Sequence, residues 1–185
     1  MYRTLILTLA LALSAPAFAQ SHADAMARLA PFAGSYTLDG TAEIEEGSFD
    51  GSLTISPILG GHFQQWDWEM DMEGPGVEEK VYLRFVVAYD AGNNAYVIHR
   101  FDSRDVDSPT RASGDGIPPA LGGLGFDGDA LVMSWPMTNP DDASKNGRFR
   151  NTVRLTPQGL DVETEVKPDG GGATVAIATT RAARR

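Results

Sequence analysis

The chain has 185 residues, with 25 acidic against 15 basic side chains, a formal net charge of −10 and no cysteine. A chain this acidic is repelled by nucleic-acid phosphates and by anionic lipid, so nucleic acid is not an expected partner. The lack of cysteine excludes disulfides, thiolate metal sites and a lipid-modified cysteine. We interpret the basic cluster at the C-terminus (Arg181, Arg184 and Arg185) as a solvated tail.

The N-terminus has the three parts of a secretory signal peptide. Arg3 supplies the positive charge, the run from Leu5 to Leu13 is apolar, and Ala17-Phe18-Ala19 is a small-x-small ending. This pattern predicts a signal peptide over residues 1–19 that is cleaved before Gln20. We therefore expect a periplasmic or secreted protein whose mature form has no membrane anchor.

The remainder is predicted to be a short leader helix over residues 20–31 followed by one β-domain over residues 32–185. The segment from Ser21 to Ala30 is rich in good helix formers and Pro31 stops it. Beyond Pro31 the apolar residues alternate with polar ones, as in half-buried strands. In the clearest of these strands, Trp66, Trp68 and Met70 share one face, because successive side chains of a strand point to opposite sides.

Nine segments with this alternation are separated by turn signals rich in Gly, Asp and Asn. The predicted strands are Ser35 to Ile44, Gly51 to Ile58, His62 to Met72, Lys80 to Tyr89, Ala95 to Phe101, Ala130 to Trp135, Gly147 to Thr156, Leu160 to Lys167 and Thr174 to Arg181. The pattern predicts an all-β fold, an antiparallel calycin-like barrel of about nine to ten strands. An open sandwich of two sheets is the alternative.

Residues 102–129 are predicted to be a long loop. They combine many glycines with Pro109, Pro118 and Pro119, which disfavours a continuous ladder of hydrogen bonds. Apolar residues such as Leu124 and Phe126 suggest a flap whose tip rests on the barrel mouth. A passive insertion is the alternative, because long loops are often disordered.

Three segments in a fixed order carry a family resemblance. They are Leu29 to Tyr36 (LAPFAGSY), Ile58 to Gln65 (ILGGHFQQ), and Ala88-Tyr89-Asp90 followed by Tyr96 to Ser103. On these segments the chain resembles the bacterial family catalogued as domain of unknown function fifteen seventy-nine. The resemblance implies a lipocalin-like closed barrel with an internal cavity, and it implies no substrate. The sequence departs from the family pattern in having Tyr36 where a tryptophan is expected and His99-Arg100-Phe101 where another aromatic residue is common.

The aromatic and thioether stripe of the third predicted strand is typical of an adaptable apolar ligand surface. We therefore predict a small-molecule binding protein for an apolar or amphipathic ligand. The predicted ligand contacts are Trp66, Trp68, Met70 and Phe85, with Tyr96 or Arg100 as polar contacts. The same stripe also suits the core of a solid barrel, which would make the protein an interaction or envelope-stress module that works through its outer surface.

Metal and catalytic motifs are incomplete. His62 and His99 lack the partners of a metal site, although either leaves a lone axial haem ligand open as an alternative. Asp102, Asp105 and Asp107 alternate, but the glycine and glutamate of a calcium-binding EF-hand loop are missing. We expect no cofactor.

The sequence contains no Gly-x-Ser-x-Gly or Ser-x-x-Lys motif for a nucleophilic serine. Ser103 lies near His99 and Asp102 in sequence, but the members of a catalytic triad are brought together by the fold rather than by one short strand. An enzyme is therefore not predicted. It stays open only as the case of a carboxylate or histidine with a shifted pKa inside a cavity.

Overall fold

The computed structural model describes residues 20–42, 47–103, 122–137 and 146–185. They form a short helix, α1 (His22–Leu29), and ten antiparallel strands. The strands are β1 (Gly34–Ala42), β2 (Gly47–Ile58), β3 (Phe63–Gly74), β4 (Val77–Asp90), β5 (Ala95–Asp102), β6 (Gly122–Asp127), β7 (Ala130–Met137), β8 (Gly147–Thr156), β9 (Gly159–Pro168) and β10 (Val175–Arg184). Two 3₁₀ turns, Ala30–Phe32 and Leu59–Gly61, precede β1 and β3.

The ten strands close into one barrel. Each strand pairs with the next strand in sequence, and β1 also pairs with β10, with Tyr36 opposite Arg184 and Ala42 opposite Ala178. This closure confirms the predicted all-β antiparallel barrel and its strand number, and it rules out the open sandwich. It also leaves the first and last strands without a free edge that another chain could pair with.

The alternation seen in the sequence decides which side chains enter the barrel. On β3, Gln64, Trp66 and Trp68 are buried, while the residues between them are half-buried on the outer side. On β4, Phe85 and Val87 are buried in the same way. A one-residue change of register would reverse both faces, so the apolar pattern fixes the strand pairing.

Strand β6 differs from the sequence prediction, which placed Gly122–Asp127 in the long loop. Leu124 and Phe126 alternate there with Gly123 and Gly125, and the buried Leu124 belongs to the core. The glycines suggested a loop, but the period of two was present and pairing with β7 satisfies the backbone. Asp102, which was also predicted to lie in the loop, is the last residue of β5. Residues 104–121 of the predicted flap lie outside the described residues, as does the predicted signal peptide.

Helix α1 covers one end of the barrel, in agreement with the predicted leader helix. Ser21 caps it by accepting a hydrogen bond from the backbone N–H of Asp24 at 3.1 Å. Ala25 and Leu29 are fully buried against the barrel, followed by Phe32 in the 3₁₀ turn. At this closed end the odd-numbered strands begin and the even-numbered strands end.

Candidate ligand-binding cavity

The half of the barrel that faces away from α1 contains a cavity of about 520 Å³. Ligand cavities in proteins commonly measure roughly 300–1,000 Å³, so this one has the size of a small-molecule site. The other half is solid, because Trp66, Leu53 and Leu131 are fully buried and fill it together with the residues of α1. The barrel is therefore packed at the level of Trp66 and hollow from the level of Trp68 outwards.

Buried hydrogen bonds attach α1 to the closed end. Gln64 donates from Nε2 to the carbonyl of Leu29 at 2.9 Å, and Trp66 donates from Nε1 to Gln64 Oε1 at 2.8 Å. Tyr96 donates its hydroxyl to the carbonyl of Ala25 at 2.7 Å. The carbonyl of Leu29, at the C-terminus of the helix, has no partner inside the helix, so Gln64 satisfies a group that would otherwise be buried unpaired. The helix is thereby held as a fixed base for the cavity.

The C-terminal end of the chain forms hydrogen bonds with residues of the same closed end. Tyr36 donates its hydroxyl to the carbonyl of Phe32 at 2.7 Å, and Arg184 Nη2 donates to the Tyr36 hydroxyl at 3.1 Å. Arg184 also reaches the carbonyls of Pro31 and Ala33. Arg184 therefore forms specific contacts, unlike the solvated tail expected from the sequence.

The apolar part of the cavity lies towards its mouth. Side chains there come from six positions on four strands, all at the strand ends remote from α1. They are Phe49, Met70, Met72, Val166, Val175 and Ile177. Ile177 stands at a register shift of β10 against β9, which brings Ile177 and Ala178 both to the lining.

The polar side chains of the lining lie near its inner end, beside the apolar side chains of Phe85 and Val162. We call this polar group the floor, and it consists of Trp68, Arg100, Asn151, Thr164 and Thr180. On each strand, the floor residue lies two positions farther from α1 than a buried apolar residue of the core. Polar groups are thus placed one layer above the solid core.

A buried ion pair lies beside the floor. Arg100 Nη2 contacts Asp102 Oδ2 on the same strand, and the two side chains are only 14% and 1% exposed. Both point to the barrel interior because they are two residues apart on β5. Asp102 therefore neutralises the one charged side chain among the described residues that line the cavity.

An aromatic cluster forms one wall. The Trp135 ring is stacked on Phe149 with centroids 5.6 Å apart and lies 5.6 Å from the tilted ring of Phe85. The Arg100 guanidinium stands 5.9 Å from the Trp135 centroid, close enough for a cation–π attraction. Flat, polarizable surfaces of this kind suit apolar ligands of varied shape.

The floor holds buried polar atoms that lack a hydrogen-bond partner among the described residues, among them the Nε1 donor of Trp68 and the Oδ1 acceptor of Asn151. Buried polar groups in folded proteins are nearly always paired, so each exception calls for a partner. Because both residues line the cavity, a bound molecule is a natural partner for them.

The structure divides the six predicted ligand contacts between the two halves of the barrel. Trp68, Met70, Phe85 and Arg100 line the cavity, and their role in binding stays a prediction. Trp66 and Tyr96 are not among the lining residues, and instead they belong to the hydrogen-bonded closed end.

Sequence reasoning missed Trp135, Phe149 and Asn151. All three were in predicted strands, and their period-two spacing from Met133 and Val153 was the available signal. What the spacing did not reveal was which layer of the barrel each strand position occupies.

The histidines lie away from the cavity. His62 is exposed in the turn before β3, and His99 is half-buried on the outer face of β5. His22 in α1 contacts the carbonyl of Tyr89 at 2.9 Å, with its ring centroid 5.3 Å from that of His62.

Within residues 20–42, 47–103, 122–137 and 146–185, no group of three or more metal-ligating side chains is found. Asp105 and Asp107 of the calcium hypothesis lie outside these ranges.

The helices that the structure describes include none long and apolar enough to cross a membrane.

Comparison with other proteins adds no assignment. A scan of the chain against protein-family models finds no match, and a search of the curated proteins finds none either.

Proposed function

We propose that this chain is an exported small-molecule binding protein that holds an apolar or amphipathic ligand inside its barrel. The observation that carries the proposal is the cavity of about 520 Å³, which lies inside a closed barrel and is lined mainly by aromatic, thioether and aliphatic side chains. The alternative of a solid barrel would require side chains to fill this volume, and the described side chains leave it open.

The shape of the barrel supports binding by a preformed site. The closed ladder of β1 to β10 and the hydrogen-bonded helix hold the wall and the base in place before a ligand enters. Little ordering entropy is then lost on binding, which favours affinity. A ligand that buries roughly 200 Å² of apolar surface would gain about 5 kcal/mol from that burial alone, before the cost of association.

Export and family membership are part of the proposal. Export rests on the charged, apolar and small-residue pattern of residues 1–19, and the family rests on the resemblance of three segments to domain of unknown function fifteen seventy-nine. A preformed cavity suits an exported carrier or sensor, because a diffusing protein can sequester a poorly soluble ligand without any cofactor.

Native mass spectrometry of the protein purified from its own cells tests the proposal. We expect a small molecule to co-purify, and we expect Ala178→Phe to abolish its retention, because Ala178 lines the cavity and a phenyl ring there would fill part of it. The matched control is Ala176→Phe on the same strand, where the side chain is exposed and outside the lining. Absence of any bound molecule, together with equal binding of the uncharged probe N-phenylnaphthylamine to both variants, would contradict a cavity ligand.

A further inference from the structure

The polar and apolar parts of the cavity are arranged opposite to what a tail-first amphiphile would need. The polar side chains, including Trp68, Asn151 and Thr180, stand on the floor, and the mouth is formed by apolar side chains such as Met72 and Ile177. An amphiphile is most stable with its polar group against polar partners and its chain against apolar ones. The lining therefore favours entry of the polar end first.

The Trp68 and Asn151 atoms without a partner indicate what that polar end must offer. Trp68 Nε1 needs an acceptor, and Asn151 Oδ1 needs a donor. Trp68 is 6% exposed and Asn151 is 8% exposed. The two atoms themselves have almost no accessible surface in this structure, so a ligand group reaches them only if neighbouring side chains shift. The two residues stand on β3 and β8, which are five strands apart in a ring of ten and so face each other across the barrel.

The charge of the floor argues against an ionised head group. Asp102 already neutralises Arg100, and its side chain is 1% exposed. A ligand carboxylate that approached Arg100 would compete with Asp102 for the guanidinium. Displacing a buried carboxylate from its partner costs several kcal/mol, so a neutral head group is favoured over a carboxylate.

We infer that the ligand is an amphiphile with an uncharged head group that both donates and accepts hydrogen bonds, such as an alcohol or an amide. It binds head first, with the head on the floor between Trp68 and Asn151 and the apolar portion towards Met70, Met72 and Ile177. This inference rests on the proposed function and specifies the ligand class of the same cavity.

Titration of the ligand-free protein with decanol and with decanoate tests the head-group preference, because the two probes have chains of equal length. Quenching or shift of the tryptophan emission reports binding, since Trp68 and Trp135 line the cavity. We expect decanol to bind about tenfold more tightly at neutral pH, a difference that corresponds to about 1.4 kcal/mol. Equal or tighter binding of decanoate overturns the inference while the proposed function stands.

Matched tryptophan variants test the position of the head. Trp68→Phe removes the unpaired floor donor, so it should weaken decanol binding about five- to tenfold. Trp66→Phe removes the same donor group from the closed end, where Nε1 is paired with Gln64, and should leave the decanol affinity unchanged. Circular dichroism of both variants confirms that they fold.

The remaining outcomes are also decisive. Equal decanol affinity of the two tryptophan variants overturns the head-first arrangement. If N-phenylnaphthylamine binds in a manner that Ala178→Phe blocks but neither decanol nor decanoate binds, the ligand class is wrong and the cavity function stands. If none of the three probes binds, the proposed function fails as well.

Discussion

Gln64 on β3 donates from its amide to the carbonyl oxygen of Leu29 at the end of α1, from inside the barrel, at 2.9 Å. The same amide accepts a hydrogen bond from Trp66 Nε1 at 2.8 Å. Gln64 is 3% exposed, so both bonds are shielded from water. The Gln64 side chain thus links the helix to Trp66, the largest aromatic residue of the solid core. These two hydrogen bonds hold the closed end that lies below the cavity.

Gln64→Leu should destabilise the protein by about 2–4 kcal/mol, because it leaves the Leu29 carbonyl and the Trp66 N–H buried without partners. The measurement is the free energy of unfolding from urea titration. Gln65→Leu is the control, since Gln65 lies on the outer side of β3 and bonds to the partly exposed Asp67. A cost for Gln64→Leu no larger than the control's would show that the link between helix and barrel contributes little.

Gly40 provides the space for an aromatic ring of the cavity wall. It pairs directly with Phe49 on β2, and a Cβ at this position would lie 2.3 Å from the Phe49 ring. Gly40→Ala should push the ring towards the cavity, cost about 1–3 kcal/mol and weaken ligand binding. Gly125→Ala is the matched control, because a Cβ there meets nothing within 4 Å. Unfolding free energies and N-phenylnaphthylamine affinities of the two variants check the expectation, and equal effects would contradict it.

The fold was largely predictable because alternation and turn residues act locally. Trp66 and Trp68 share a face by simple geometry, and nine of the ten strands follow from the same rule. Strand β6 was missed because Gly123 and Gly125 occupy every second position and carry no side chain to mark the outer face. Tertiary pairing with β7, which no local pattern reveals, makes these residues a strand.

The site was predictable only in part, because a residue lines the cavity only if it lies at the right level along the barrel axis. Trp66 and Trp68 are indistinguishable in the strand pattern, yet α1 seals the level of Trp66 and leaves the level of Trp68 open. That level depends on strand stagger and on where the helix docks. Asn151 was missed for a related reason, since a lone amide in a strand gives no sign that it faces a cavity.

Tyr96 should make the stability of the protein depend on alkaline pH. Burial raises the pKa of its hydroxyl above the usual 10.0, against a smaller lowering by Arg28. A group whose pKa is raised in the folded state contributes stability that is present below its unfolded pKa and is lost as the pH rises through the folded pKa. The ionised oxygen also no longer donates to the carbonyl of Ala25.

Urea midpoints measured between about pH 9 and about pH 11 check this expectation. The midpoint should fall over this interval in the unmodified protein, and Tyr96→Phe should reduce the fall. Tyr82→Phe is the control, because Tyr82 is 48% exposed on the outer face. If Tyr96→Phe and Tyr82→Phe give the same pH dependence, the buried hydroxyl is not responsible.

Asp102→Asn should abolish the preference of the cavity for neutral head groups. The substitution keeps the size of the side chain and removes the negative charge beside Arg100, whose side chain is only 14% exposed. Removing one partner of a buried ion pair is strongly destabilising, so we expect the unfolding free energy to fall by about 3 kcal/mol in the ligand-free protein. A ligand carboxylate can then take the place of Asp102, and binding of decanoate should recover part of that loss.

The measurement is the ratio of decanoate to decanol affinity in the unmodified protein and in the variant, with the thermal midpoint recorded with and without decanoate. We expect the ratio to rise about tenfold or more and the stabilisation by decanoate to be larger in the variant than in the unmodified protein. Asp67→Asn is the control, since Asp67 forms an ion pair with Arg84 on the outer face of the barrel and does not line the cavity. An unchanged ratio in Asp102→Asn would mean that the ion pair stabilises the barrel without selecting the head group.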